Sequence, residues 1–203
     1  MQGTSSDRQS EIIRTPRAVT DILPKPTTSR KTSTAKRGNR RHMTSTSIER
    51  PRTVVHTDGA CVGNPGPGGW AAVIHVPGDN RATSQTRTVS GGHPDTTNNR
   101  MEMAAVIGAL RALPKGTLRI VSDSQYVIKG ITEWLRPWKS RGWRNAEGKA
   151  VKNRDLWEEL DHLTAGRDIE WKWTKGHAGT PENEEADRLA NAEAMAWAAR
   201  AVA

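Results

Sequence analysis

The sequence predicts an α/β domain over residues 51–198, a mixed sheet covered by helices. A basic tail at 1–50 precedes it and a short C-terminal tail at 199–203 follows. Three observations predict this. Strand-like, β-branched runs alternate with helical patterns from residue 53 onward. The first three strands have connections too short for crossovers, which makes them antiparallel neighbours; the later ones alternate with helices, which implies right-handed crossovers and parallel pairing. Hydrophobic residues make up 34% of the 203, low enough that part of the chain must lie outside any core.

That part is the N-terminal tail. Residues 1–50 hold 11 basic and 4 acidic side chains, so +7 of the chain's +9 lies there. They are rich in Ser, Thr, Arg and Pro and contain no aromatic residue. Such a segment cannot bury enough apolar surface to offset its ordering entropy, and we read it as disordered. A solvated tail and a non-specific nucleic-acid tether both fit it. A transit peptide fits less well, because Asp7, Glu11 and Asp21 interrupt the acid-poor pattern such peptides show. Met43 is a second candidate start.

The elements follow in order. T-V-V-H-T at 53–57 is a β-branched strand, cut by Asp58-Gly59. The run G-N-P-G-P-G-G at 63–69 is turn chemistry; without a following Gly-Lys-Ser/Thr it is a hairpin turn, not a nucleotide-binding loop. W-A-A-V-I-H-V at 70–76 is a second strand, and a third falls within 83–91. Thr97 or Asn98 caps a helix that runs through Leu113. L-R-I-V-S at 118–122 is a strand ended by Asp123, and helix resumes from Ser124. I-E-W-K-W at 169–173 is the last strand, and Pro181 and Glu182 open an Ala-rich helix over 181–199.

Asp58 and Asp123 each close a predicted strand. If those strands are neighbours, both carboxylates emerge at the sheet edge where open α/β sheets place ligands. Glu102 lies in the first turns of the helix after Asn99, and Asp187 lies in the last helix. Converging hard oxygen donors suit Mg²⁺ or Mn²⁺ rather than zinc. A single cysteine, Cys61, excludes an intrachain disulfide framework and a cysteine-based zinc site. Eighteen acids lie in residues 51–203, so spacing alone leaves a solvated-surface reading open for all four.

The local strings narrow this. T-D-G-A-C-V-G-N-P-G-P-G-G-W, T-T-N-N-R-M-E, S-D-S-Q-Y-V, W-K-S-R-G-W and K-G-H-A-G-T-P-E-N-E-E-A-D, in this order across about residues 53–197, resemble type 1 ribonuclease H in its bacterial HI form. The resemblance implies a five-stranded mixed sheet of order 3-2-1-4-5. It implies an endonuclease that hydrolyses the RNA strand of RNA–DNA hybrids by divalent-metal catalysis, leaving 5′-phosphate and 3′-hydroxyl ends. Asp58, Glu102, Asp123 and Asp187 would then hold Mg²⁺, with Mn²⁺ as a substitute and two ions in the catalytic complex. Asp58 would bridge, Glu102 and Asp123 would position metal and water, and Asp187 would serve the nucleophile side. His177, between Gly176 and Gly179, matches a catalytic-loop histidine, with Glu184 as its helper. A lone histidine is more often structural, but in this motif an imidazole titrating near neutrality can shuttle a proton or help release product.

Substrate binding has its own signal. Residues 129–154 contain eight basic side chains (Lys129, Arg136, Lys139, Arg141, Arg144, Lys149, Lys152, Arg154) against Glu133 and Glu147. Trp134, Trp138 and Trp143 interleave with them, as ring platforms for a nucleic acid or, for Trp134 and Trp138 equally, as core. The stretch resembles the basic protrusion of the bacterial enzymes, although Pro137 sits inside it and shifts where its helix can break. Trp157, Trp171 and Trp173 read as core. Telling RNA from DNA requires reading 2′-hydroxyls, and by resemblance Asn64, Asn98, Asn99 and Gln125 do so, while Thr97, Arg100 and Asn153 face the DNA phosphates. Helix capping is the plainer role for Asn98 and Asn99.

Alternatives from other classes fit less well. A non-catalytic hybrid-binding module would keep the basic stretch and lack an acid, yet all four acids are present. A transposase-like nuclease would need further DNA-binding elements. No apolar run approaches the ~18 residues of a membrane span. The expected partner is therefore an RNA–DNA hybrid, and the expected state a cytoplasmic monomer.

Overall fold

The computed structural model describes residues 51–78, 83–176 and 179–202. The tail and Met43 lie outside them. Five strands, β1 Thr53–Cys61, β2 Gly66–Val76, β3 Gln85–Thr96, β4 Thr117–Ser122 and β5 Asp168–Trp173, form one sheet of order β3-β2-β1-β4-β5. The pairs β1–β2 and β2–β3 are antiparallel, and β1–β4 and β4–β5 are parallel. The expected mixed sheet is thus the observed one. Five helices accompany it: α1 Asn98–Ala112, α2 Gln125–Lys129, α3 Leu135–Ser140, α4 Arg154–Thr164 and α5 Pro181–Val202. A π-helical turn, Gly130–Trp134, joins α2 to α3.

Several boundaries differ from expectation, each for a physical reason. β1 does not stop at Asp58-Gly59, because β2 offers a continuous partner: Asp58 pairs with Ala71 and Gly59 with Trp70. Half of the glycine-rich run is therefore strand, since Gly66 to Gly69 belong to β2, and the turn shrinks to 62–65, closed by the Val62 amide donating to the Pro67 carbonyl at 2.8 Å. β3 runs on to Thr96, with Gly92 and His93 still paired to β2. Helix α5 reaches Val202, so residues 199–202 continue it rather than form a tail. Pro137 does not end the helical segment. The π turn precedes it, and the Leu135 amide reaches back five residues to the Gly130 carbonyl.

The main core lies on one face of the sheet, where α1 supplies Met103, Val106, Ile107 and Leu110 against Val55, Ile74, Leu118 and Ile120. Trp157 and Leu160 of α4 complete it. Each such side chain contributes about 1.5–3 kcal/mol of burial. The other face is covered by α5. Ala186, Ala190 and Ala194, spaced four apart on one stripe, are buried. Their smallness is matched by Gly69: a Cβ there would stand 2.2 Å from the Ala190 carbonyl oxygen and 2.4 Å from the Ala194 amide nitrogen. Helix and strand touch backbone to backbone.

Trp157 is fully buried, but Trp173 is 46% exposed. It ends an edge strand on which only Ile169 and Trp171 are half-buried.

Gly69→Ala cannot be absorbed by a side-chain rotation, because both obstructing atoms are helix backbone. We expect it to destabilise the fold by about 1–3 kcal/mol. Urea unfolding checks this, and an unchanged midpoint would contradict the packing of α5.

Candidate active site

Two backbone constraints build the site. The parallel register of β1 and β4 pairs Thr57 with Ser122, so the next residues, Asp58 and Asp123, lie at the same end of neighbouring strands. Gly59 supplies the second. A Cβ at that position would lie 2.2 Å from the Glu102 amide nitrogen and 2.4 Å from the Met101 carbonyl carbon. Only a glycine lets β1 touch the first turns of α1, and that contact brings Glu102 to Asp58. Helix α5 brings Asp187 from the opposite face.

The electrostatics report the convergence. Burial pushes the Asp58 carboxyl up to about 7; the negative charge of Asp123 adds to this, and Asp187 and Glu102 contribute less. The Gly59 amide opposes the shift by donating to Asp58 Oδ1 at 2.7 Å. Glu102 is raised too, by burial first, with the Ser124 hydrogen bond opposing and Asp123 adding.

The supporting hydrogen bonds are specific. Glu102 Oε1 accepts from Asn98 Nδ2 at 2.9 Å, and its Oε2 accepts from the buried Ser124 hydroxyl. That hydroxyl also accepts from the Val127 amide at 3.2 Å, capping α2. Asp187 Oδ1 accepts from Asn191 Nδ2 at 2.8 Å. The Trp173 indole donates to the Asp123 carbonyl at 3.0 Å. Among the described residues no three acidic, histidine or cysteine side chains form a ready-made ligand cage. The donor set nevertheless fits a hard divalent cation, because it is all carboxylate and partly buried, and the Asp123 charge adds to the cost of ionising Asp58 and Glu102. His177 lies outside the described residues. Gly176 beside it approaches Asp123, since a Cβ there would be 2.6 Å from Oδ2.

Sequence reasoning missed Ser124 and Asn191 as supports. The signal for Ser124 was present, since a serine between an acid and a helix start is a cap in waiting.

The expected substrate residues are placed as follows. Asn64 is exposed in the 62–65 turn, and its Oδ1 accepts from the Asn98 backbone amide at 3.1 Å. This side chain from another element caps α1, while Thr97, at the N-cap position, makes no side-chain capping bond. Asn98 therefore receives a cap and turns its own amide to Glu102. Asn99 and Gln125 are exposed. Arg100 forms a bidentate pair with Asp155 at 3.0 and 2.6 Å and also reaches Asn153 Oδ1 at 3.4 Å. The Asp155 carboxyl is held below its ordinary value: burial would raise it, but the Arg100 hydrogen bonds and charge prevail. Trp134 and Trp138 are half-buried, with centroids 5.7 Å apart, and Trp138 packs edge-on to Trp157 at 5.6 Å. Trp143 is covered by the Arg154 guanidinium at 5.5 Å. Lys139 is paired with Asp161 at 2.6 Å, whereas Arg141 is exposed and makes no ion pair among the described residues.

Fold and site together define a class. A mixed sheet of this order, with acids from its two central parallel strands, first helix and last helix at one edge, has the ribonuclease H-like nuclease architecture. The RNase H family model matches residues 50–195. A ribonuclease H of Thiobacillus denitrificans is 56% identical over 138 residues, 68% of this chain and 89% of that protein. A ribonuclease HI of Caulobacter vibrioides is 52% identical over 142 residues, 70% of this chain and 91% of that protein. Among solved structures, LC9-RNase H1, described as a type 1 RNase H with the type 2 active-site motif, superposes with a TM-score of 0.64 at 34% identity, covering 73% of this chain and 75% of that one. The chain belongs to the RNase H family and is an enzyme of that class.

The raised Asp58 carboxyl sets a stability prediction. The folded state keeps that proton up to about pH 7, whereas the unfolded chain releases it near 4. The charged form therefore costs stability above pH 7, and the cost is relieved as pH falls toward 4. In EDTA at pH 8, Asp58→Asn should be more stable than wild type by on the order of 2 kcal/mol, allowing for solvent screening. The difference should vanish near pH 4. Denaturant titrations at the two pH values measure it; a variant less stable at pH 8 would show that charging Asp58 carries no such cost in the fold.

Proposed function

We propose that this enzyme hydrolyses the RNA strand of RNA–DNA hybrids, leaving 5′-phosphate and 3′-hydroxyl ends. The observation that carries the reading is the placement of Asp58 and Asp123 at the same end of paired parallel strands, with the Gly59 contact bringing the first turns of α1 and Glu102 against β1. Family membership supports the substrate class, and the basic stretch beside the site supports a polyanion.

Asp58, Glu102, Asp123 and Asp187 would hold Mg²⁺ or Mn²⁺, two ions in the catalytic complex. When bound, such ions supply a more acidic water and neutralise charge at the leaving oxygen. The chain's own part is to keep the carboxylates facing one point. Ser124 and Asn98 fix the two oxygens of Glu102, and Asn191 fixes one oxygen of Asp187. His177, from the segment after Gly176, takes or returns a proton during product release, with Glu184 near it in sequence. Asn64, Asn98, Asn99 and Gln125 face the RNA 2′-hydroxyls, their amides offering donor and acceptor together. Because the Asn98 side chain also holds Glu102, a 2′-hydroxyl contact there links sugar recognition to the orientation of a catalytic acid. Thr97, Arg100 and Asn153 take the DNA phosphates. Trp134, Trp138, Trp143, Lys139 and Arg141 border the same strand.

The test is cleavage of a labelled hybrid beside single-stranded RNA, duplex RNA and duplex DNA, with Mg²⁺ and with EDTA, and with the ends mapped. Only the hybrid should be cut, and only with metal. Asp58→Asn should abolish cleavage without unfolding the protein, and near wild-type turnover would overturn its assignment. His177→Ala should slow the reaction without eliminating it; complete loss in a folded protein would mean that its role is larger.

Replacing Lys139, Arg141 and Arg144 with Ala should raise KM and flatten its salt dependence, by roughly 0.7–0.9 log units of slope for each phosphate that is no longer neutralised. Lys139 is already neutralised by Asp161, so Arg141→Ala alone should account for more of the slope change than Lys139→Ala. The reverse order would place the hybrid on the Lys139 side.

A further inference from the structure

The carboxylate chemistry leaves Tyr126 unused, although its phenol oxygen ties α2 to the start of α4 through three hydrogen bonds. Tyr126 is the chain's only tyrosine. It lies on α2, three residues after Asp123. Its Oη accepts from Trp157 Nε1 at 3.2 Å and from Asn153 Nδ2 at 3.2 Å, and donates to the Lys152 carbonyl at 3.4 Å. A phenol has one proton to give and two lone pairs to offer, so all three are engaged. The ring is seated against Trp157 at 5.4 Å and Trp134 at 6.2 Å.

The partners explain what this accomplishes. Asn153 is a non-glycine residue in the left-handed region, with φ 56°, at the start of α4, and its own side chain makes no capping bond. Its carboxamide is instead held at both ends: Nδ2 by Tyr126 and Oδ1 by Arg100. Arg100 in turn commits three of its five N–H groups to Asn153 and Asp155, leaving two for a ligand. With Asp155 the Arg100 charge is balanced. What this corner offers a phosphate is therefore a set of oriented donors rather than net charge, and orientation is what the phenol supplies.

We propose that Tyr126 is a positioning residue for hybrid binding, fixing the Asn153 carboxamide, and through it Arg100, for a phosphate of the DNA strand. The proposal rests on the reading of Asn153 as a hybrid contact. Tyr126 touches no reacting atom, and its effect falls on binding, not on the chemical step.

The test uses Tyr126→Phe in the full chain, since it keeps the ring packing and removes only the oxygen. Loss of one neutral hydrogen bond corresponds to about 2–10-fold in an equilibrium constant. We expect KM for a hybrid to rise by about that factor at saturating Mg²⁺, with kcat within twofold of wild type. Asn153→Ala should raise KM at least as much, since it also removes the phosphate contact, and the double variant should be no worse than Asn153→Ala alone, because Tyr126 acts on binding through that carboxamide. A fluorine label on this single tyrosine should give one resonance that shifts when hybrid is added to wild type and much less when it is added to Asn153→Ala. A purely structural role would lower the melting temperature and leave KM and this coupling unmoved. Unchanged KM in Tyr126→Phe, or effects that multiply in the double variant, would overturn the proposal while Asn153→Ala still weakens binding. An Asn153→Ala protein with wild-type KM would instead remove the underlying hybrid contact, and the proposal with it.

Discussion

The partial burial of carboxylates beside one another is the constraint on which the rest of the structure depends. Burial at this sheet edge raises the cost of charging Asp58 and Glu102, and the neighbouring Asp123 adds to both; Asp58 shows it most, its carboxyl pushed up to about 7. Such a cluster persists only where the scaffold over-determines it. Here the scaffold does so with backbone rather than with side chains. The β1–β4 ladder sets Asp58 and Asp123 at equivalent positions, and the close approach of Gly59 to α1 sets the Glu102 backbone against β1. Side-chain hydrogen bonds then refine the aim without supplying most of the restraint.

The stability that offsets this cost comes from the two faces of the sheet, and each face is built by a different device. On the α1 face, large aliphatic side chains and Trp157 make a conventional core. On the α5 face, alanines against Gly69 let helix and strand approach to backbone contact. The α5 arrangement suits its task. Asp187 must be carried to the same edge as acids rooted on β1, β4 and α1, and a helix held on bulky side chains would stand farther from the sheet.

How much of this was legible in the sequence follows from which forces are local. The strands and helices announced themselves by β-branched runs, helix signals and breakers, and their order in the sheet is the one the motifs implied. What failed were inferences that treated a residue's local preference as decisive. Asp58-Gly59 reads as a strand stop, yet β2 pairs straight through it; the glycine is there for a helix contact, not for a turn. The glycine-rich run reads as a loop, yet half of it is strand, because α5 and the neighbouring strands need a surface without side chains. Trp173 reads as core, yet it ends an edge strand with its indole donating to the carbonyl of Asp123. In the sequence the four acids were singled out by the motifs around them, since spacing alone left a solvated-surface reading open. Asn191 and Tyr126 were not singled out, since their significance lies in partners that only the folded chain selects, and Ser124 signalled a helix cap but not its bond to Glu102.

Charge counting has the same limit. Residues 129–154 carry eight basic groups, and by composition they look like a uniform field for phosphates. In the fold, Lys139 is paired with Asp161 and Arg154 with Glu158, while Arg100, outside the stretch, is matched by Asp155. Exposed pairs of this kind add little stability, but they redistribute the field, leaving Arg141 without an ion pair among the described residues and making Arg100 with Asp155 a pair of no net charge whose remaining N–H groups are directional donors. Long-range attraction and local orientation are thereby assigned to different residues. The first falls off with salt over a Debye length, whereas hydrogen bonds from a fixed guanidinium and carboxamide do not. On the function proposed above, a surface divided in this way would draw in any polyanion through one set of groups, yet admit into register with the carboxylates only a backbone whose phosphates and hydroxyls meet the other.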